Sequence, residues 1–107
     1  MASSKEYVNF VLEQLSNLDE ITSRAMMGEY LIYYRKKVMG GVYDDRFLVK
    51  AIQPAIDYMP KAVYELPYEG AKEMLLVEEL DNKEFLAGLF NAMYDELPFP
   101  KPRKKKK

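Results

Sequence analysis

Residues 24–50 read RAMMGEYLIYYRKKVMGGVYDDRFLVK, and this stretch decides the predicted fold. Runs of aromatic and β-branched residues, which favour strands, alternate in it with short polar segments, which favour turns. The run 30–34 is strongly strand-forming, whereas 35–37 and the pair Asp44-Asp45 are typical of tight turns. The pattern therefore predicts an antiparallel meander of three or four strands.

The limits of these strands follow from the same signals. We predict strands over 22–27, 30–34, 38–43 and 46–50, with a turn or bulge at Gly28. Gly40-Gly41 falls inside the third strand, where glycine indicates a bulge or the close approach of another backbone.

A helix is predicted ahead of the meander. Ser3 and Glu6 have the spacing of a capping box. Apolar residues then recur at intervals of three and four over 7–18, and Asn17 and Asp19 end the pattern. This helix should bury one face against the sheet.

The C-terminal half adds a short helix, two strands and a long helix. The short helix starts near Pro54 and stops at Pro60. Strands are predicted over 61–66 and 74–77, and Asp81 caps the last helix. The order is helix, three or four strands, short helix, two strands, helix. It predicts an α+β fold, a two-layer sandwich of an antiparallel sheet with helices.

The composition removes most catalytic and metal chemistries. Cysteine and histidine are both absent, so the sequence offers no disulfide, no thiolate or imidazole ligand and no serine–histidine relay. Nothing in it assembles a base, a nucleophile and a stabilising group, so we expect no enzyme, cofactor or metal. Without a signal-peptide profile or a long apolar run, the protein is expected in the cytoplasm.

The net charge of −1 hides a division between an acidic body and a basic tail. The basic residues of the tail are Lys101, Arg103, Lys104, Lys105, Lys106 and Lys107. Without them the chain carries about −7, which is unlike a duplex-binding domain. We predict one domain over 1–97 and a disordered Pro/Lys-rich tail over 98–107. The tail either contacts nucleic-acid phosphates or stays solvated.

The chain resembles the TfoX (Sxy) N-terminal domain family in the motifs MMGEY at 26–30, IY at 32–33 and YDDRFLVK at 43–50. The likeness covers about Ser4 to Leu97. It implies a two-layer α+β domain similar to the secretion-chaperone-like fold, without established catalytic residues. Regulators of this family promote natural competence, in some bacteria alongside the cyclic-AMP receptor protein. Glu29 stands where a second glycine is common, and we expect no helical C-terminal domain of the kind found in longer regulators.

The paired acids admit two interpretations. Asp44 and Asp45 could coordinate a hard cation or act in acid–base chemistry. Aspartate is also common in turns, where its side chain bonds local backbone amides, and we favour that interpretation. Arg46 beside them is either part of a partner site or a solvent-exposed charge.

The meander is predicted to be apolar on both faces. Tyr30, Ile32 and Tyr34 alternate with Leu31 and Tyr33, so the two sets face opposite sides. A sheet with helices on one side should be polar on its second side. The apolar excess predicts a homodimer or partner surface, unless helices cover both faces. We expect partner contacts from Arg24, Tyr30, Tyr34, Tyr43 and Arg46.

The leading functional prediction is a non-enzymatic protein-interaction domain of the TfoX type in bacterial regulation. The alternative is a nucleic-acid-binding protein that uses the basic tail and the sheet tyrosines, although the acidic body opposes it. A third hypothesis is a small-ligand sensor, with a pocket of methionine and tyrosine between helix and sheet.

Overall fold

The computed structural model describes residues 4–26 and 29–97. The elements are α1 Lys5–Gln14, β1 Ile21–Met26, β2 Glu29–Tyr34, β3 Lys37–Val42, β4 Phe47–Val49, α2 Gln53–Tyr58, β5 Tyr64–Glu65, β6 Met74–Leu76 and α3 Lys83–Tyr94. All neighbouring strands are antiparallel, in the order β1-β2-β3-β4-β6-β5. The predicted α+β class and antiparallel sheet are confirmed. None of these helices is long and apolar enough to cross a membrane.

The three helices pack on one face of the sheet, hereafter the core face. Alternate strand residues such as Ile32 and Tyr34 point to it and join one buried cluster with helix side chains. The rings of Phe47 in β4 and Phe90 in α3 have centroids 6.1 Å apart within this cluster. The helices bury in it Val8, Val11, Ala55, Leu86, Leu89, Phe90 and Met93. This layer is the hydrophobic core that the apolar stripes of the helices predicted.

Two-residue turns join β2 to β3 and β3 to β4. Their φ angles, from 51° to 75°, are left-handed, as the favoured hairpin turns require; the residues are Arg35, Lys36, Asp44 and Asp45. Across the second turn, Tyr43 and Arg46 exchange backbone hydrogen bonds of 2.8 and 3.0 Å. The predicted turn at 44–45 is confirmed. The turn predicted at 35–37 is one residue too long, because Lys37 already pairs in β3.

The glycine pair lies where β3 departs from regular pairing. Met39 is the extra residue of β3, opposite the step between Ile32 and Tyr33 on β2. A Cβ on Gly40 would collide with the backbone carbonyl of Leu48 in β4. The predicted bulge and the predicted close backbone approach are therefore both present.

The predicted helix limits need small corrections. The N-cap of α1 is Ser4 rather than Ser3, and the helix ends at Gln14, before the predicted limit. The N-cap of α3 is Asn82 rather than Asp81. In each case an adjacent residue with equivalent capping chemistry was chosen, and the sequence alone does not distinguish them.

Two predicted strands are too long. The strand predicted over 61–66 is reduced to Tyr64–Glu65, because Ala62 belongs to a turn after α2 and donates to the Met59 carbonyl at 3.0 Å. The strand predicted over 46–50 is reduced to Phe47–Val49. The Gly28 turn and the 98–107 tail lie outside the described residues.

Candidate partner-binding surface

The face of the sheet opposite the helices, hereafter the second face, carries apolar side chains. Leu31 and Tyr33 of β2 alternate with the core residues of that strand, and both are half-buried. Val38 of β3 is half-buried as well. The helices pack on the core face, so they do not shield these side chains from solvent. The residues that shield the second face therefore belong to loops.

Residues 66–73, hereafter the 66–73 segment, shield part of the second face. The ring of Tyr68 packs on the ring of Tyr43 with a centroid separation of 6.2 Å. The Tyr43 ring lies close over the backbone of Gly41, since a Cβ there would be 2.9 Å from a ring carbon. Leu48, which alternates with the core residues of β4, is fully buried. The segment therefore covers the second face beside the β3–β4 turn, where Tyr68 meets Tyr43.

Arg46 ties this segment to the sheet. Its Nη1 forms an ion pair with Glu65 Oε1 at 2.6 Å, its Nη2 donates to the Pro67 carbonyl at 3.4 Å, and its Nε donates to the Tyr43 carbonyl at 3.1 Å. About a third of each charged side chain stays exposed, which screens the ion pair. The geometry makes Arg46 a clamp between the β3–β4 turn, β5 and the segment that follows.

Between the segment and the sheet lies an open cleft of about 580 Å³. That volume is within the range of binding pockets for small molecules or inserted side chains. Its wall includes apolar side chains from four strands and the chain before α2, together with Lys50, Lys72 and Glu73 at its rim. The apolar and aromatic lining consists of Met26, Leu31, Val38, Tyr43, Ala51, Ile52, Pro67, Tyr68, Ala71 and Met74.

Large apolar side chains are exposed beside the cleft. They form the β5 patch, whose members and exposed fractions are Val63 51%, Tyr64 47%, Leu66 46% and Tyr68 58%. Tyr68 also lines the cleft. Tyr64 stands opposite Leu75 of the core cluster and projects to the core side of β5, whereas Val63 projects to the second face. The cleft is therefore continuous with the part of the patch that Val63 and Tyr68 form. Grouped exposed apolar residues of this kind mark interaction sites more often than isolated ones do.

Of the predicted contact residues, the structure brings Tyr43 and Arg46 together and places the other three elsewhere. Tyr34 is 4% exposed on the core face, and its hydroxyl donates to Asn91 Oδ1 at 2.8 Å. Tyr30 packs half-buried against the same core. The expectation that these two tyrosines lie on a docking face is wrong, because the helices cover that side of β2. Arg24 is exposed on β1, at the far edge of the sheet from β5.

Tyr43, a predicted partner contact, lies on the second face and lines the cleft. It is 5% exposed between the sheet and Tyr68. Burial raises the pKa of its phenol, and the neighbouring Tyr68 and Glu29 raise it further. Tyr43 therefore acts as a neutral packing residue that supports the 66–73 segment.

The carboxylate of Asp45 and the backbone amide of Asp44 both form hydrogen bonds to other parts of the chain. Asp45 Oδ1 accepts a hydrogen bond from the Ser4 amide at 2.8 Å, and the Asp44 amide donates to Glu29 Oε1 at 3.0 Å. The turn thus connects the start of α1 to the β3–β4 hairpin. Over residues 4–26 and 29–97, no three acidic side chains are grouped so as to hold a metal ion.

The β5 patch was missed at the sequence level. Residues 61–66 were predicted only as a strand, and no surface was assigned to them. Their shared signal is a cluster of apolar side chains directly before Pro67, which ends the strand and turns the chain over the sheet. The predicted methionine–tyrosine pocket was also misplaced: the cleft lies on the second face rather than between helix and sheet.

The chain is similar to a known domain family and to a known bacterial protein. A family model described as the TfoX N-terminal domain matches residues 13–88. A protein of Spirochaeta aurantia, described as an uncharacterized 12.7 kDa protein in the trpE 5′ region, is 30% identical over 107 residues. That match covers 99% of this chain and 93% of the relative. No solved structure matches the chain.

Proposed function

Because the chain belongs to the TfoX N-terminal domain family, we propose that it is a non-enzymatic protein-interaction domain of bacterial regulation, with competence gene expression as the candidate process. The observation that carries this proposal is the joined surface of the cleft and the β5 patch. A partner would dock there with an apolar anchor in the cleft and further contacts along the patch.

The chemistry of this surface suits a protein partner. Tyrosine and methionine are enriched at interface cores, and Tyr68 and Met74 contribute both types here. A pocket beside exposed aromatic residues is the usual setting of an interface hot spot. The charged side chains Lys50, Lys72 and Glu73 would form a polar rim around it.

The same features disfavour catalysis and nucleic-acid binding as the main role. The sequence lacks histidine and cysteine, and the Asp45 carboxylate is hydrogen-bonded to the Ser4 amide. A nucleic acid would meet an acidic body, whereas the exposed patch is apolar. A protein surface with an apolar segment fits the patch without that repulsion.

An affinity pull-down from the native bacterium tests the proposal. The bait proteins are the wild type, Tyr68→Asp, Val63→Asp and, as a matched control, Phe10→Asp. Phe10 is 42% exposed on α1, on the helix side of the sheet. For a partner that the wild type enriches, we expect both patch variants to weaken binding by about 30-fold, the effect of losing one hot-spot residue.

The control variant should bind that partner as the wild type does, and all four baits should melt at similar temperatures. If Phe10→Asp loses the partner as strongly as the patch variants do, or if neither patch variant loses it, the proposed surface is wrong.

A further inference from the structure

Strand β1 forms a long open edge of the sheet. Within the described residues it pairs with β2 alone, in an unbroken antiparallel register from Ile21↔Tyr34 to Met26↔Glu29. Every residue from Thr22 to Met26 is exposed. The outer backbone groups of this strand therefore face solvent and can accept another strand.

The edge lacks the features that usually prevent strand addition. Natural sheets protect exposed edges with proline, lysine, a bulge or a very short strand. The sequence ITSRAM of β1 contains neither proline nor lysine, and its pairing with β2 is regular. Arg24 is its one charged residue. In contrast, β5 at the opposite edge is only two residues long.

We propose that β1 pairs antiparallel with β1 of a second copy of the chain, so that the two sheets become one continuous sheet. This inference goes beyond the proposed partner site, because the β5 patch lies at the other end of the strand order. A symmetric dimer would leave that patch open on both copies.

Symmetry and the hydrogen-bond pattern fix the register. In an antiparallel pair, two residues directly opposite each other are of the same kind: both turn their backbone groups toward the partner strand, or both turn them away. A two-fold axis between identical strands then requires one residue to stand opposite itself. For Ile21–Met26 the two registers with the longest overlap are centred on Ser23 or on Arg24. The Arg24 register places like charges opposite each other and is disfavoured.

The Ser23 register matches the side chains in size and charge. It sets Thr22 opposite Arg24 of the second copy, and Ile21 opposite Ala25 of the second copy. Glu20 comes directly before the strand with a left-handed φ of 60°, and its carbonyl accepts a hydrogen bond from the Arg35 amide at 3.0 Å. It therefore stays beside β2 at the end of the ladder, and we expect its long side chain to reach Arg24 of the second copy from a diagonal position. Each dimer would contain the pair of Glu20 and Arg24 twice, once on each side of the two-fold axis. The charges along the edge of β1 are therefore complementary to those of a second copy.

Single-cysteine variants test the register directly, because the natural chain contains no cysteine. Directly opposed residues of an antiparallel pair have Cβ atoms about 4.5–5.5 Å apart, which is close to disulfide geometry. Under mild oxidation we expect Ser23→Cys to form disulfide-linked dimers roughly tenfold faster than Thr22→Cys or Arg24→Cys, whose copies stand opposite different residues. Equal rates at all three positions, or a maximum at another one, would overturn the proposal.

Charge reversal tests the acid–base pair without any new covalent bond. Arg24→Glu and Glu20→Arg should each lower the dimer fraction of the full-length chain in sedimentation velocity, because each places like charges beside each other. An equimolar mixture of the two variants should regain wild-type association as a heterodimer, since every pair becomes opposite in sign. A wild type that stays monomeric at every concentration, or a mixture no better than its components, contradicts the proposed pairing.

Discussion

At the scale of single residues, Lys37 shows how one polar group can be held inside the apolar layer. It is 8% exposed at the start of β3. Its Nζ donates to the carbonyl of Tyr94, the last residue of α3, at 2.8 Å, and lies 3.9 Å from the centroid of the Tyr94 ring. A cation suits the negative end of a helix and the face of an aromatic ring. Lys37 therefore fixes the end of α3 against the sheet.

We expect Lys37→Ala to lower the free energy of unfolding by about 2–3 kcal/mol, because it removes a charge-assisted hydrogen bond and a partly desolvated cation–π contact. Urea denaturation followed by circular dichroism measures the change. The exposed Lys61 provides the control, since Lys61→Ala should shift stability by less than about 0.5 kcal/mol. Similar effects of the two substitutions would show that Lys37 does not hold α3.

At the scale of elements, the features that could be predicted from the sequence are those that depend on neighbouring residues alone. The polar pairs Arg35-Lys36 and Asp44-Asp45 were found as turns because a two-residue hairpin loop depends on few residues. Which parts of the chain shield each face of the sheet could not be predicted in the same way. It depends on where the 66–73 segment returns over the sheet, and Arg46 and Glu65, nineteen positions apart, hold it there.

The β2–β3 turn also contains removable strain. Lys36 has a φ of 75°, which is costly for a residue with a Cβ and free for glycine. We expect Lys36→Gly to raise the free energy of unfolding by about 0.5–1 kcal/mol, because relief of strain exceeds the added entropy of the unfolded chain. Thermal melting measures it. As a control, Lys50→Gly should destabilise the fold, because Lys50 does not have a left-handed φ. A loss of stability in Lys36→Gly would contradict the prediction.

At the scale of the whole molecule, the sheet separates two surfaces. The β5 patch lies at one end of the strand order and the open edge of β1 at the other, and the cleft runs over the second face between them, from Met26 to Met74. The helices lie on the core face. The clamp of Arg46 to Glu65 and Pro67 concerns the first surface alone. A change there should therefore alter partner binding without altering pairing through β1.

Arg46→Met tests that separation, because it keeps an apolar stem and removes all three polar contacts. We expect faster hydrogen exchange in the 66–73 segment, most clearly at the Ala71 amide, which donates to the Tyr68 carbonyl at 3.1 Å. Global stability should fall by only about 1 kcal/mol, since the ion pair is partly exposed. Arg24→Met, a matched loss of an arginine on β1, should leave exchange in this segment unchanged. Unaltered exchange in Arg46→Met would mean that Tyr68 and Tyr43 hold the segment by ring packing alone, and the clamp would then have no part in shaping the cleft.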